Sequence, residues 1–154
     1  TMALCEAAAY YKTQGKTLWD AMIEMYEQFG YYKDAIQSVT MKGIEGLQKI
    51  QEIMNSLRQN PPAEFAGHKV VAVRDYKADT ITDVATGAVK PTGLPNSNVL
   101  YYELTDDAWV CVRPSGTEPK VKFYYGVKGT SLADADEKSD IMGKAVLDMV
   151  DSMK

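Results

Sequence analysis

The sequence is poor in the residue types that most often carry chemistry. It has one histidine and two cysteines in 154 residues. Cys5 and Cys111 lie far apart and lack the short spacing of a metal site, so we expect both to be reduced thiols in the core. His68 stands at the start of a predicted strand, where a surface or strand-end imidazole is a better explanation than catalysis.

Long apolar runs and an excess of positive charge are also lacking. No apolar run approaches the roughly 20 residues that span a bilayer, and the first residues lack the basic and apolar regions of a secretory signal. We therefore expect a cytoplasmic protein. The net charge is −4 and no basic stripe is present, which argues against nucleic acid as a partner. With 45% hydrophobic and 25% charged residues, the chain can form one compact domain with an appendage.

The clearest functional pattern lies in residues 109–120, where an apolar strand runs into a short loop. Arg113 offers a planar fork of N–H donors, and Ser115 and Thr117 offer hydroxyl groups. Gly116 stands between the two hydroxyls and leaves the main-chain amides open to an oxyanion. These residue types in this order predict a binding site for a phosphate.

The two ends of this loop are restricted by proline. Pro114 and Pro119 each fix their own φ and bias the preceding residue toward extended geometry. A loop that is stiff before binding loses less entropy when a ligand arrives. Ordinary turn chemistry is the alternative explanation, because proline, serine and glycine are common in hairpin connections.

Local charge favours the anion site over the plain turn. The loop and the strand after it carry four basic residues and the single acid Glu118, and a small cationic patch suits a small anion. Lys120 and Lys122 share one face of an extended strand, so both could assist phosphate binding or both could simply be solvated. Glu118 would repel an anion unless it pairs with one of these lysines, and Lys90 could also face the ligand.

Periodicity and capping signals divide the chain into helices and strands. Thr17 with Asp20, and Ser131 with Asp134, predict two helix starts. We predict helices over 2–12, 18–30, 43–57 and 131–152, and strands over 32–41, 68–76, 99–104, 108–113 and 119–127. The polar residues 79–98, punctuated by glycine and proline, predict a long loop.

Apolar stripes predict which helix faces are buried. The second helix presents Leu18, Met22, Met25, Tyr26 and Phe29. The third presents Ile44, Leu47, Ile50, Met54 and Leu57. The last presents Leu132, Ala135, Met142, Ala145, Met149 and Met153. Together these patterns predict an α+β fold, a mostly antiparallel sheet of four to five strands with helices on one face, preceded by an N-terminal helical hairpin.

The string Arg-Pro-Ser-Gly-Thr-Glu-Pro-Lys at residues 113–120, followed by Val-Lys-Phe-Tyr-Tyr, resembles the phosphate-binding loop in the last domain of the α-D-phosphohexomutases, the phosphoglucomutase/phosphomannomutase family. The approach segment at residues 94–100 supports the resemblance. It implies that residues 31–154 are the C-terminal phosphate-binding domain and that residues 1–30 end the preceding domain or link to it. A hinge is expected at residues 30–33. The implied fold is like that of the TATA-box-binding protein, without DNA binding.

The resemblance also implies a division of labour. Arg113, Ser115, Gly116 and Thr117 would hold the phosphate of a hexose phosphate that is not being transferred. The phosphoserine loop, the metal loop with three alternating aspartates and the Gly-Glu-Glu-Ser-Gly sugar loop of the family have no counterpart here. The magnesium ion and the sugar bisphosphate activator would therefore belong to the complete enzyme.

Two acidic strings come nearest to a metal loop but do not have its spacing. We interpret residues 134–137 as the acidic first turn of a helix and residues 105–107 as a hairpin turn. This chain would then be inactive alone, and its partners would be a hexose phosphate and the other domains of the same enzyme. The alternative is a stand-alone anion-binding module without catalysis, which predicts a natural reading frame that starts at Thr1.

Overall fold

The computed structural model describes residues 1–41 and 43–153. Over these residues the chain forms four helices and eight strands. The helices are α1 (Met2–Thr13), α2 (Leu18–Phe29), α3 (Gly43–Gln59) and α4 (Leu132–Ser152). The strands are β1 (Tyr31–Thr40), β2 (Glu64–Phe65), β3 (His68–Asp75), β4 (Thr80–Asp83), β5 (Val89–Lys90), β6 (Leu100–Leu104), β7 (Trp109–Pro114) and β8 (Lys120–Gly129).

The strands form one antiparallel sheet. Seven of those described lie in the order β1-β8-β7-β6-β3-β4-β5, and β2 pairs with β3 outside this path. The longest pairing joins β1 to β8 and runs from Tyr31 opposite Gly129 to Thr40 opposite Lys120. The predicted α+β class and antiparallel sheet are confirmed, although the sheet is wider than the four or five strands expected.

One face of this sheet packs against α3 and α4 and forms the core. Side chains alternate across a strand, so every second residue of β6, β7 and β8 points to this face. The buried strand residues are Leu100, Tyr102, Leu104, Val110, Val112, Val121, Phe123, Tyr125 and Val127. The Tyr102 hydroxyl donates to the Leu57 carbonyl at 3.2 Å and joins sheet to helix. Burial raises the pKa of this hydroxyl.

Helix α3 buries most of the stripe expected for it. Ile50, Met54 and Leu57 are fully buried, as predicted. Leu47 is 52% exposed, so its prediction was wrong. In the first half of the helix it is the neighbouring Gly46 that is buried. The predicted position of Ile44 lies outside the side chains that the structure describes.

The buried face of helix α4 differs from the predicted stripe. Its buried residues are Ala135, Ser139, Met142, Gly143, Val146 and Val150. These follow steps of three and four and include a serine and a glycine, which hydrophobicity alone does not select. The predicted stripe was correct at Ala135 and Met142, and Met149 and Met153 are partly buried against the core. Leu132 is exposed and Ala145 is half-buried.

The long loop predicted over residues 79–98 is wrong, because this segment contains β4 and β5. Side chains tie the two short strands together: the Asp79 carboxylate accepts from the Thr92 and Gly93 amides at 3.0 and 3.1 Å. The Asp83 carboxylate accepts from the Thr86 amide at 2.8 Å. Strands of four and two residues surrounded by turn residues leave little alternation to detect, which is why the sequence pattern missed them.

The N-terminal hairpin is confirmed as two helices. The Thr17 hydroxyl accepts from the Asp20 amide and the Asp20 carboxylate accepts from the Thr17 amide, which is the predicted capping box. In α1 and α2 no residue is fully buried. Leu18, Met22, Met25 and Phe29 of the predicted stripe line an open groove of about 650 Å³, whereas Tyr26 stacks on Tyr31. Cys5 in α1 is exposed, which corrects its prediction as a core thiol, since the hairpin has no core of its own.

Candidate functional site

The loop between β7 and β8 is closed by its own backbone. The Ser115 amide donates to the Lys120 carbonyl at 2.8 Å, and the Lys120 amide donates to the Glu118 carbonyl at 2.7 Å. The Thr117 amide approaches the Ser115 hydroxyl oxygen at 3.4 Å. In the part of the chain that the structure describes, the amides of Gly116 and Glu118 have no acceptor. The loop therefore offers free N–H donors at its tip.

Gly116 is not required by the backbone or by packing. Its φ lies outside the left-handed region, and a Cβ built on it would have no atom within 4 Å. By contrast, a Cβ on Gly129 would lie 2.5 Å from the Ala135 amide nitrogen. The absence of a side chain at residue 116 leaves the loop tip open, as a bound anion would need.

Arg113 and Lys122 bring two positive charges to the same place. They are directly opposite each other in the β7–β8 pairing, so both side chains leave the sheet on the face away from the helices. Like charges at such positions repel each other. Neither side chain has a carboxylate partner among residues 1–41 and 43–153. An anion between them would relieve this repulsion.

Several other cations of the described chain are neutralised. Seven basic side chains each pair with a carboxylate: Lys16–Glu24, Lys33–Asp136, Arg58–Asp75, Arg74–Glu103, Lys120–Glu118, Lys128–Asp107 and Lys138–Asp134. Arg113 and Lys122 differ from these seven side chains, because they lie opposite each other without a carboxylate partner among the described residues, in a chain of net charge −4.

The two lysines predicted as a possible auxiliary pair differ in their surroundings. The Lys120 ammonium lies 3.2 Å from both carboxylate oxygens of Glu118, which also removes the repulsion expected from Glu118. Lys122 lines a cavity of about 380 Å³ together with the loop. The lining residues are Arg113, Pro114, Ser115, Gly116, Thr117, Lys122 and Tyr124. All four residues predicted to bind phosphate therefore border one cavity.

We define the open face as the sheet face opposite α3 and α4. It carries Asp34, Ile36, Arg74, Tyr101, Trp109, Cys111, Arg113, Lys122 and Tyr124. Tyr101 and Trp109 stack with ring centres 5.5 Å apart. Cys111 is half-buried, and burial raises the pKa of its thiol while the charge of Arg113 acts against this rise.

Tyr124 is the cavity residue that sequence reasoning missed. Side chains alternate along a strand, so its position two residues after Lys122 could have indicated it.

Two other predicted positions lie away from the loop. Lys90 borders a separate depression of about 380 Å³ with Arg74 and Glu103. His68 starts β3, as predicted, and its Nδ1 lies 3.1 Å from a carboxylate oxygen of Asp106. Neither residue lines the cavity at the loop.

A larger cavity, about 470 Å³, lies on the helix side of the sheet. Its walls are mostly apolar, and the Arg58 guanidinium at its border is occupied: Nε donates to Asp75 at 3.0 Å, and another nitrogen donates to Asn98. This cavity therefore offers no free cation to an anionic ligand.

The predicted turns around the acidic strings are confirmed. Asp134 accepts from the Thr130 amide at 2.7 Å at the start of α4. Asp106 and Asp107 both have positive φ between β6 and β7, which is typical of a tight turn.

Over the described residues there is no group of three or more His, Cys, Asp or Glu side chains that could hold a metal ion, so a magnesium site does not fit this part of the chain. No helix within that range is long and apolar enough to cross a membrane.

A family model described as "Phosphoglucomutase/phosphomannomutase, C-terminal domain" matches residues 53–144. Phosphoglucomutases of Staphylococcus aureus strains bovine RF122 / ET3-1 and MRSA252 are 38% and 37% identical over 135 residues, which is 88% of this chain and 24% of each relative. The chain thus spans about a quarter of the length of these curated relatives.

A solved structure gives a further match. It is the open form of the exocytosis-sensitive phosphoprotein pp63/parafusin, a phosphoglucomutase from Paramecium. The sequence identity is 13% and the TM-score is 0.49, with 93% of this chain and 24% of that chain covered.

Proposed function

Because the chain belongs to the phosphoglucomutase/phosphomannomutase family and matches its C-terminal domain, we propose that it is the phosphate-clamping part of a phosphohexomutase. Arg113, Ser115, Gly116 and Thr117 bind the phosphate of a hexose phosphate that is not being transferred. Lys122 assists them through its charge, whereas Lys120 is held by Glu118.

The observation that carries this proposal is the pair of unneutralised cations beside free main-chain amides. Arg113 and Lys122 lie opposite each other, and the amides of Gly116 and Glu118 point to no acceptor in the described chain. A phosphate dianion supplies the missing negative charge and several acceptor oxygens in one group. Charge-assisted hydrogen bonds of this kind are about twice as strong as neutral ones.

The chain positions the substrate and does not react with it. The phosphoryl transfer would take place on a serine elsewhere in the complete enzyme, and this chain alone would be inactive. A loop that recognises phosphate and not a particular sugar hydroxyl can accept a phosphate from either end of a bisphosphorylated intermediate. Holding one end fixed places the other end for transfer, and this positioning lowers the barrier.

Magnesium and a sugar bisphosphate activator belong to other parts of the complete enzyme in this proposal. Magnesium would stabilise the charge that develops on the transferred phosphoryl group. The partners of this chain are then a hexose phosphate and the remaining domains. The location is the cytoplasm, where hexose phosphates are formed and used.

We further propose that residues 1–30 end the preceding domain and that residues 31–154 form the C-terminal domain. Gly30 alone separates α2 from β1, and its φ of 110° favours glycine. Residues 31–33 are already paired with β8, so the proposed hinge narrows to Gly30. In the complete enzyme, amide exchange at residues 29–31 should change when hexose phosphate binds, and identical exchange with and without ligand would contradict the hinge.

An NMR titration of the 154-residue chain tests the phosphate site directly. We expect inorganic phosphate, mannose 6-phosphate and glucose 1,6-bisphosphate to shift the amide signals of residues 113–118, with dissociation constants on the order of millimolar. Arg113→Ala should weaken binding by about 1.5 to 3 kcal/mol, because it removes charge-assisted hydrogen bonds.

Arg74→Ala is the matched control. It removes a guanidinium from the same open face, but one that already pairs with Glu103, so phosphate binding should change little. In the complete enzyme Arg113→Ala should lower kcat/KM, since the clamp acts on every bound state. Equal effects of the two substitutions, or an unchanged kcat/KM, would refute the assignment.

A further inference from the structure

Tyr124 continues the proposed phosphate site along β8. It is two residues beyond Lys122, so it leaves the sheet on the same face, about 7 Å further along the strand. It also lines the same cavity as the loop. Within the described chain its hydroxyl has no hydrogen-bond partner and its ring has no aromatic neighbour.

The surroundings of Tyr124 are apolar where those of Lys122 are charged. Its cross-strand neighbours are Cys111 on β7 and Ile36 on β1. Ile36 is 47% exposed, and Cys111 is half-buried. The open face therefore changes from a cationic rim at Arg113 and Lys122 to an apolar floor within one step along the strands.

We propose that Tyr124 is the platform for the sugar ring, so that this site binds a pyranose phosphate and not phosphate alone. The inference rests on the proposed function, since it needs the phosphate to be held by the loop. In a hexose phosphate one ester oxygen, with or without a methylene carbon, separates phosphorus from the ring. With the phosphate at the loop tip and Lys122, the ring extends over the next side chain of the same face, which is Tyr124.

The chemistry of the two groups fits. One side of a pyranose ring presents C–H groups, which pack on the negative face of an aromatic ring. The hydroxyl of Tyr124 can in addition donate to or accept from a sugar hydroxyl, because it has no partner among the residues that the structure describes. A phosphate without a ring would leave the tyrosine uncovered. Tyr124 is thus a positioning residue that distinguishes cyclic sugar phosphates from smaller phosphates.

The test compares three ligands on the 154-residue chain by NMR titration: inorganic phosphate, glycerol 3-phosphate and mannose 6-phosphate. The wild-type chain should bind mannose 6-phosphate more tightly than the other two. Tyr124→Ala should weaken mannose 6-phosphate binding by about three- to tenfold and leave the other two ligands unchanged. Tyr124→Phe keeps the ring and should retain most of the preference.

Tyr101→Ala is the matched control, because it removes a tyrosine from the same face on β6, two strands away, where Tyr101 stacks on Trp109. It should leave all three affinities unchanged. If inorganic phosphate binds at the loop but Tyr124→Ala affects all three ligands equally or none, the sugar platform is wrong and the phosphate site stands. If no ligand shifts the loop amides, the proposed function fails, and the platform fails with it.

Discussion

The two faces of strand β8 share one backbone but differ in the burial and the surroundings of their side chains. Val121, Phe123 and Tyr125 point to the helices and are buried. Lys122 and Tyr124 point the other way, are half-buried, and line a cavity. The same ladder of hydrogen bonds to β1 and β7 holds both sets.

The difference between the faces separates residues that maintain the fold from residues that are free to bind. On the helix face each side chain fills space between sheet and helix, and the tight packing of protein interiors makes its size and shape important. On the open face, Arg113, Lys122 and the ring of Tyr124 have no partner among the described residues and are not needed for packing. A strand with such alternation lets a ligand site be built on a rigid element at small cost to stability.

The largest expected effect comes from truncating two adjacent aromatic residues, one on each face of β8. Phe123→Ala should reduce the free energy of unfolding by about 3 to 5 kcal/mol, because it leaves a cavity in the core. Tyr124→Ala should reduce it by less than about 1 kcal/mol, as is usual away from the core. Urea unfolding of both variants measures the difference, and similar losses would show that the open face also carries the fold.

Two glycines provide the next comparison. Gly129→Ala should destabilise the chain by about 1 to 3 kcal/mol through overpacking, because the new Cβ would lie 2.5 Å from the backbone of α4 at Ala135. Gly116→Ala should leave stability within about 0.5 kcal/mol and weaken phosphate binding by obstructing the loop tip. Thermal unfolding and phosphate titration separate the two effects. A stability loss at residue 116 would mean that the loop needs glycine for folding.

Two lysines on the same face of β8 test whether a local positive charge contributes to phosphate binding. Lys122→Ala should weaken phosphate binding by about two- to fivefold, which is the size expected for an exposed charge. Lys128→Ala removes the same charge six residues away, about 20 Å along the strand, where the lysine pairs with Asp107. It should not affect binding. Isothermal titration calorimetry with phosphate, at low and at moderate salt, measures the affinity of both variants. Equal losses of affinity would indicate that phosphate is attracted by the overall charge alone.

The smallest expected effect concerns the start of α4. The hydrogen bond from the Thr130 amide, and next that from the Lys138 side chain, lower the pKa of Asp134 below its ordinary value of 3.8. A lowered folded-state pKa means that this group stabilises the fold above its unfolded pKa and that the stabilisation is lost as the pH falls through the folded pKa. Asp134→Asn should therefore flatten the loss of stability below about pH 4. Urea unfolding at pH 7 and at pH 3 tests this, and parallel curves for variant and wild type would contradict it.

Local signals predicted the elements well where a few adjacent residues decide the structure. The capping box at Thr17, the N-cap at Ser131 and the strands on both sides of the loop at residues 115–119 are confirmed. Hydrogen bonds over three or four residues and restricted φ values fix such features, so they can be inferred from the chain alone. Short strands tied by distant side chains, such as β4 and β5, have no comparable local signal.

The helix faces were predicted less well because burial depends on the partner. Ser139 and Gly143 of α4 are buried, since the sheet approaches them closely and a larger side chain at Gly143 would meet the Tyr125 hydroxyl. Leu18, Met22 and Phe29 have the spacing of a packed stripe, yet α2 has no fully buried residue. Hydrophobicity shows which side chains can be buried, and only the neighbouring element decides which ones are.

The loop and its donors could be predicted from the chain alone, because Arg113, Ser115, Gly116 and Thr117 lie within five consecutive residues and their chemistry needs no distant partner. The fold was needed to show which lysine faces the loop without a partner among the described residues, and that Tyr124 borders the same cavity. The choice between Lys120 and Lys122 depends on Glu118 and on the register of β7 with β8. Strand pairing and ion pairing bring together residues whose separation in the chain says nothing about their distance in space.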